Sequence, residues 1–552
     1  MRKSTHEGGR TVANKNLFRS SPGRMLPKTD TTNKAGGKAY KMDAEHALAQ
    51  LAVTGTLAHT FYTRAEEQLD EVLKVAEQCG VDYVAQTAIY ARTKGHMKDM
   101  PALLLAHLIT RDTTDLRTRL AFNSAWDKVV DNGRMLRNFA QIVRSGQVGR
   151  KSFGTFAKKH MAKWLVDRDP IGLWYDSVGT SPSIADVIKM VHPRPDSKER
   201  EALFGYLIGK EHGWELLPEQ VGKYERWNLF REEWKESGDI PDLPDARMEM
   251  LISLDLTDYE WVELCKNASW QQTRMNLNTF ARHGVFKDKK VVKLVADRLR
   301  DVDAIRKARV LPYQLLMAYI ATRDSDMPRA ITNALHDALE AATEAVPVLP
   351  GNVVVCPDVS GSMRQAATGS RGTATSSVSC IDVAALMASC VLRKCPDAIV
   401  MPFEVDVVDL NLEPRDTVMT NSQALASIGG GGTCISAPLA RLNRLHKHVD
   451  SLIIVSDNES WIETARNRWI SPWTRQDSST EVMKEWEILK QRCPNAKMVC
   501  IDIQPFTESQ TIDRDDILNV GGFSDSIWTV VDAFLRGEGA DTWVKEIKSI
   551  EL

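Results

Sequence analysis

A helical solenoid followed by a doubly wound α/β domain is what this 552-residue chain encodes. Three observations lead there. Apolar residues recur at helical spacing, with no strand pattern between them, from Asp43 to about Ala345. At Pro347-Val-Leu-Pro350-Gly351 the character changes abruptly, and β-rich runs then alternate with helical ones. The length calls for roughly three or four folding units, hence a repeat or multidomain layout. A content of 43% hydrophobic and 26% charged residues is that of a soluble globular protein, and no run of about 18 apolar residues offers a membrane span. The basic N-terminus has no apolar stretch behind it, so it does not read as a secretory signal, and a cytoplasmic protein is expected.

Residues 1–42 form the first unit. They carry ten Lys or Arg against Glu7 and Asp30, so a chain of net charge −2 hides a strongly positive segment. Gly, Ser, Thr and Asn are frequent and periodic apolar content is low, which predicts an extended or partly disordered basic arm, suited to phosphate or simply solvated. Asp43 is a plausible N-cap for the helical unit, residues 43–346. Its stripes include Val72, Val75, Ala76 and Cys79 before Gly80, then Val84, Thr87, Ala88 and Ala91, then Leu103 to Leu108. Helix pairs that each expose an apolar face must stack to bury it, and the rhythm is HEAT-like although no exact repeat is visible. Gly238-Asp-Ile-Pro-Asp-Leu-Pro244 interrupts the helices and predicts a loop.

The last unit, residues 351–552, reads as strand Val353–Cys356, a helix near Ile381–Arg393, a strand near Ala398–Phe403 and a helix at Ala437–Leu445. Strand Ser451–Val455, a helix around Val482–Gln491 and strand Ala496–Ile503 follow. Strands alternating with crossover helices predict a mostly parallel sheet whose ligands sit at the carboxyl ends of the strands. An insertion at 461–480 carries Trp461, Trp469 and Trp473, either a partner surface or a packed loop. Nine cysteines are scattered from Cys79 to Cys500 without a Cys-x-x-Cys pair, as expected of free, mostly buried thiols.

After the first strand the chain reads Asp358-Val-Ser360-Gly-Ser362-Met. A carboxylate and two hydroxyls at alternate positions of a tight loop turn their oxygens to one point, which suits a hard cation such as Mg²⁺. Gly429-Gly-Gly-Gly-Thr433 ends a flexible loop in a hydroxyl, and Val455-Ser-Asp457 puts a carboxylate at a strand end. These residues resemble the metal-ion-dependent adhesion site (MIDAS) of von Willebrand factor A (vWA) domains. The resemblance implies that Ser360, Ser362 and Thr433 contact the metal, that Asp457 acts through water, and that Asp358 belongs to the set. Such a site leaves a position for an acidic or phosphate oxygen of a partner. Hydrolysis would need a second metal cluster, a Walker-type loop or a positioned base, none of which is present, so no enzyme is expected.

Between Asn132 and Trp164 there is no Asp or Glu, while Arg134, Arg137, Arg144, Arg150, Lys151, Lys158, Lys159 and Lys163 are basic. Phe153, Phe156, Ala157, His160 and Trp164 share a helical face and should be core, which leaves Lys151, Lys158 and Lys159 opposite and exposed. A basic face stripped of acids attracts a polyanion in a salt-dependent way; the competing reading is an ordinary solvated face. On the helix from Ser269 to Gly284, Arg274, Asn278 and Arg282 recur at successive turns. There they grip phosphates or base edges, or else bind neighbouring helices.

Leu51-Ala-Val-Thr-Gly-Thr, Met135-Leu-Arg-Asn-Phe, His192-Pro-Arg-Pro, Arg274-Met-Asn-Leu-Asn, Lys307-Ala-Arg-Val-Leu-Pro-Tyr and Ser456-Asp-Asn-Glu-Ser460 carry a wider resemblance. With the metal loop, they make the chain similar to the Ro autoantigen family, which joins a TROVE (telomerase, Ro and vault) module to a vWA domain. The resemblance implies a monomeric ring of HEAT-like repeats closed by the vWA domain. It implies small non-coding Y RNAs on the outer basic surface, ends of misfolded RNAs in the central hole, and a role as scaffold or chaperone in RNA quality control. It also implies an exoribonuclease partner such as polynucleotide phosphorylase. His192 matches a family position tied to Y RNA. The segment Tyr175-Asp-Ser-Val-Gly-Thr180 just before it has no basic residue, which shifts the expected contact toward the 134–163 patch and the N-terminal arm. The alternative is a Mg²⁺-dependent scaffold that recruits an acidic partner through its vWA domain.

Overall fold

The computed structural model describes residues 26–54, 64–179, 181–237, 241–308, 310, 312–323, 325–367, 378–460, 479–523, 525–539 and 541–552. Residues 1–25 of the basic arm and the tryptophans of the 461–480 insertion lie outside that set. The helical unit runs through α1 (Ala44–Thr54), α2 (Ala65–Gln78), α3 (Val81–Thr93), α4 (Asp99–Leu108), α5 (Leu116–Val129), α6 (Gly133–Ser145), α7 (Gly154–Asp167), α8 (Pro170–Asp176) and α9 (Ile184–Val191). It continues through α10 (Lys198–Leu207), α11 (Glu219–Ser237), α12 (Met248–Leu251), α13 (Asp258–Asn267), α14 (Trp270–Arg282), α15 (Lys289–Arg300), α16 (Val302–Ala308), α17 (Pro312–Arg323) and α18 (Arg329–Ala342). Local chemistry sets the ends. Asp43 receives the Glu45 amide at 3.1 Å, Asn132 caps α6 by accepting from the Met135 amide at 3.1 Å, and reciprocal capping boxes start α9 (Ser183, Asp186) and α14 (Ser269, Gln272). The break between α11 and α12 falls at the predicted loop.

Alternate helices stack, α3 on α5, α4 on α6, α7 on α9 and α13 on α15, which is how a solenoid buries one-sided apolar stripes. No described helix is long and apolar enough to cross a membrane.

The α/β unit contains β3 (Val353–Pro357), α19 (Cys380–Lys394), β4 (Ile399–Val400), α20 (Val418–Ala426), α21 (Ala437–Arg444), β5 (Ser451–Ser456), α22 (Glu481–Arg492) and β6 (Lys497–Asp502). After these come β7 (Glu508–Ser509), β8 (Ile517–Gly521), α23 (Asp525–Arg536) and α24 (Thr542–Lys548). Five strands form an all-parallel sheet in the order β4-β3-β5-β6-β8. Alternate residues feed two cores. Val353, Val355, Ile453 and Val455 join α19, α23 and the helical unit, while Val354, Cys356, Leu452 and Ile454 pack with Leu439 of α21 and Trp486 of α22. Strand β4 is shorter than the sequence suggests, and β8, α20, α23 and α24 add to the pattern read from it.

One expectation is corrected. Residues 31–41 are not a free arm: β1 (Thr31–Thr32) and β2 (Lys38–Lys41) form a hairpin, and β2 pairs antiparallel with β7. Ala39 and Tyr40 are buried and the Tyr40 hydroxyl lies 2.8 Å from Ser479 Oγ. The apolar pair Ala39-Tyr40 gives this segment a surface to bury, which a count of basic residues hides.

Both ends of the helical unit rest on the α/β unit. At the first, the buried His46 of α1 lies 2.8 Å from the Asn519 carbonyl of β8 and 2.8 Å from the Asp513 carboxylate, with its ring edge against Trp543 of α24. Gln86 and Tyr90 of α3 hydrogen-bond the Lys548 carbonyl and the Glu546 carboxylate. At the other, Glu340 of α18 accepts from the Val418 amide of α20 at 2.6 Å and pairs with Arg393 of α19 at 3.3 Å, while the Tyr313 and Phe523 rings meet edge to face.

Candidate metal centre and candidate nucleic-acid interface

The five residues singled out as cation ligands come together at the carboxyl ends of β3 and β5, all buried. Asp358 follows β3; its Oδ1 accepts from the Ser360 amide at 2.9 Å and its Oδ2 from Ser456 Oγ at 2.6 Å. Ser360 Oγ stands 3.3 Å from Ser362 Oγ and receives Thr433 Oγ1 at 3.0 Å, so three hydroxyls form one contiguous chain. Gly429, at φ +100°, holds the Thr433 loop against the first loop: a Cβ there would lie 1.8 Å from the Val359 carbonyl oxygen. Asp457 follows β5. Its Oδ1 accepts from the Glu459 amide at 3.3 Å, and its buried Oδ2 has no partner.

Electrostatics explain what such a cluster lacks. Burial, then the neighbouring Asp457, pushes the Asp358 carboxyl up to about 7, and burial raises Asp457 as well. Glu459, buried and close to Asp457 and Glu508, is pushed up to about 8. Buried carboxylates crowded by like charges, with an orphaned oxygen among three hydroxyls, form a donor set short of positive charge, and a hard divalent cation fits it. Sequence reasoning missed Ser456, Glu459 and Asp502. Asp502 is the last residue of β6 and the last but one of the predicted strand Ala496–Ile503, so the strand-end rule that found Asp457 applies to it too. One of the three missed residues, Glu459, also touches the hairpin, since it accepts from the Ala35 amide at 2.8 Å and lies near Glu508, the β7 residue opposite Lys41.

On the helical unit, Arg134 and Arg144 of α6 and Lys151, Lys158 and Lys159 are exposed, and no ion pair among the described residues involves any of them. Arg137 is half-buried over Gly179, and burial with the adjacent Arg134 lowers its affinity for its proton. Its Nε has no partner. The nearby Asp176 is already bridged by Arg168 at 2.9 Å and Arg247 at 3.5 Å. An open groove of about 570 Å³ continues this face between α6 and α9, lined by Gln141, Arg144, Ser145, Ser181, Asp186, Lys189 and Met190. His192, exposed and at φ 53° just past α9, stands one turn beyond Lys189. Lys189 was not among the residues picked from the sequence, because a single lysine on a short helix gives no pattern. The expected core face of α7 is buried at Phe153 and Ala157 and half-buried at Phe156, His160 and Trp164, with Met161 and Leu165 at its centre. Arg150, counted in the basic run, instead donates to the Ser152 and Ile109 carbonyls.

Helix α14 departs from the recognition reading. Arg274 is largely buried and donates to the Gln314 carbonyl at 2.9 Å, and Asn278 donates to the Ala321 carbonyl at 2.9 Å, both on α17. Of the two alternatives, binding a neighbouring helix is what these two side chains do. The reason is that their stripe adjoins the buried one, where α17 packs. Arg282, one turn on, is exposed and bonds Thr279 of its own helix at 3.3 Å.

Comparison with known proteins follows this geometry. Residues 352–535 match the family model described as the Ro60 vWA domain. The chain is 26% identical to the RNA-binding protein RO60 of Deinococcus radiodurans over 95% of its own length and 100% of that relative. The crystal structure of the Deinococcus radiodurans RO (RSR) protein superimposes with a TM-score of 0.60 at 20% identity, covering 90% of this chain and 100% of that one. The domain match, the full-length similarity and the shared fold agree: residues 352–535 match a vWA domain of the Ro60 type, and the chain as a whole is similar to a Ro60 RNA-binding protein and shares the fold of the Ro protein.

Proposed function

We propose that this protein binds RNA along the α6–α9 surface and acts as a scaffold or chaperone rather than as an enzyme. The observation that carries the reading is the row Arg134, Arg137 and Arg144, in no ion pair among the described residues and running into a groove lined by Arg144 and Lys189, with the exposed His192 one turn beyond Lys189. Cations left uncompensated on a concave surface are arranged for a polyanion, and the shape of a structured RNA, not its sequence, is what such a row reads. The name of the Deinococcus relative points the same way. Small non-coding Y-like RNAs are the ligand class, with the ends of misfolded RNAs as a second class, and an exoribonuclease such as polynucleotide phosphorylase is the partner that would make quality control of the binding. The anchoring of both ends of the helical unit on the vWA domain supports a monomeric, closed ring.

The cation site is the second half of the proposal. Asp358, Ser360, Ser362, Thr433 and Asp457 would hold Mg²⁺, and the orphaned Asp457 Oδ2 supports this. A bound cation supplies an open coordination position for an acidic or phosphate oxygen. On its own, that would make the protein a Mg²⁺-dependent scaffold for an acidic partner.

The test is to purify the protein from its host at low salt, alone and with Arg134, Arg144 and Lys189 all changed to Glu, and to sequence the RNA that accompanies it. Discrete small RNAs present with the native chain and absent from the variant support the reading. RNA no richer than total cellular RNA in both forms removes it and leaves the scaffold.

A further inference from the structure

Three neighbouring strands of the parallel sheet end in aspartate, and two of these carboxylates account for the acidic part of the cation set. The register explains where the third one stands. Pro357 pairs with Val455 and Ser456 pairs with Asp502, so Asp358, Ser456 and Asp502 lie in one cross-strand row on one face. Within the row Ser456 is committed, because its hydroxyl donates to Asp358 Oδ2. Asp502 is buried, and its Oδ1 accepts from the Gln504 amide at 3.0 Å. Its Oδ2, like that of Asp457, is buried without any partner.

Two orphaned carboxylate oxygens at adjacent strand ends are costly to bury, unless positive charge or a donor lies between them. The neighbouring charges that act on Asp502 are Asp457, Glu459 and Glu508, all of one sign. Its loop is tied to the first metal loop: Gln365 donates to Gln504 Oε1 at 2.6 Å, and Gln504 donates to the Ala366 carbonyl at 3.2 Å. Among the described residues, no three His, Cys, Asp or Glu side chains converge tightly enough to grip a metal directly. Asp358, Asp457 and Asp502 do not form such a group, and a water molecule is the natural link between Asp502 and a cation held by the other two.

We infer that Asp502 is a further residue of the cation site, holding through its free Oδ2 a water of the cation seated at Asp358, Ser360, Ser362 and Thr433. The inference rests on the cation reading given above. Its role is positioning: it orients a water ligand and adds negative charge, as residues behind a metal's direct ligands do.

The experiment is Mn²⁺ binding to the full-length protein, followed by electron paramagnetic resonance of free Mn²⁺ and by calorimetry, for the native chain, Asp502→Asn, Asp502→Ser and Asp358→Asn. Both Asp502 variants should bind roughly 10- to 100-fold more weakly, with Asp358→Asn losing binding altogether. Circular dichroism and metal-free melting should remain at least native-like in the Asp502 variants, since an uncompensated buried acid has been removed. Native Mn²⁺ affinity in a folded Asp502 variant, beside loss of binding in Asp358→Asn, overturns the role of Asp502 and leaves the cation site standing. If the native chain itself fails to bind Mn²⁺ at millimolar concentration, the cation reading and this inference fall together. Two different side chains at 502 guard against one variant that does not fold.

Discussion

At the scale of single residues, the buried carboxylates set the expected behaviour of the proposed cation site with pH. Asp358 and Glu459, pushed up to about 7 and about 8, hold protons that a cation must displace. Affinity for Mg²⁺ is therefore expected to rise as pH goes from 6 to 8 and to level off above, and calorimetry at three pH values reads this directly. The same shifts act on stability with a definite sign. A carboxyl whose folded value is raised binds more protons folded than unfolded, so the metal-free protein should lose stability as pH climbs from about 4 to about 8. Melting temperatures of chelator-treated protein across that range check it. Ser456→Ala removes the 2.6 Å donor to Asp358 Oδ2 and is expected to cost about 1.5–3 kcal/mol in denaturant unfolding at pH 8, less at pH 5 where Asp358 is protonated.

At the scale of elements, α6 and α14 look alike in sequence and differ in what surrounds them. Each carries cationic or polar side chains one or two turns apart, Arg134, Arg137 and Arg144 on α6 and Arg274, Asn278 and Arg282 on α14. The cations of α6 point to a groove and to solvent, whereas Arg274 and Asn278 are spent on α17 carbonyls. Arg274→Ala together with Asn278→Ala should destabilise the chain by about 2–4 kcal/mol, at roughly 1–2 kcal/mol for each interhelical bond, and leave the salt dependence of RNA binding unchanged. Arg144→Glu should do the reverse, with native melting and a slope of log affinity on log salt smaller by roughly 1. An Arg274/Asn278 double variant that melts like the native chain yet loses RNA would reassign α14 to the interface. The β1–β2 hairpin is the other lesson at this scale. Its Ala35 amide bonds Glu459, so a segment that reads as a solvated tail is built into the rim of the proposed cation site.

At the scale of the whole molecule, the helical unit is anchored at both ends on the vWA domain. The first anchor titrates. Asp513 and the Asn519 carbonyl raise His46 above its usual value against the cost of burial, with Asp43 adding to the effect, and His46 in turn lowers Asp513. A raised histidine stabilises fully below about 6.5 and loses that contribution as pH rises through its folded value; a lowered aspartate stabilises above about 4 and loses it on acidification. The pair thus holds the two units together best between about pH 4 and 6.5. His46→Gln should cost about 3 kcal/mol at pH 6 and less at pH 8.5, and hydrogen exchange in α1 and β8 should report the loosening. An effect of equal size at both pH values would mean that the pair is neutral in the native protein.

Much of this architecture is written in local pattern. Helical periodicity from Asp43 onward, the alternation of strands and helices after Pro350, and the placement of Asp358, Ser360, Ser362 and Asp457 just after strands and of Thr433 in the loop before α21 depend on near neighbours in the chain, so the sequence carries them. Other features depend on contacts between residues hundreds of positions apart. Ala39-Tyr40 becomes a strand because β7 offers it an edge, Arg274 becomes a staple because α17 lies across it, and Lys189 joins Arg144 because α6 packs on α9. Asp502 stands in line with Asp358 because the register of three parallel strands puts it there. Periodicity names which face of an element is apolar, whereas the identity of what covers that face is settled by packing alone.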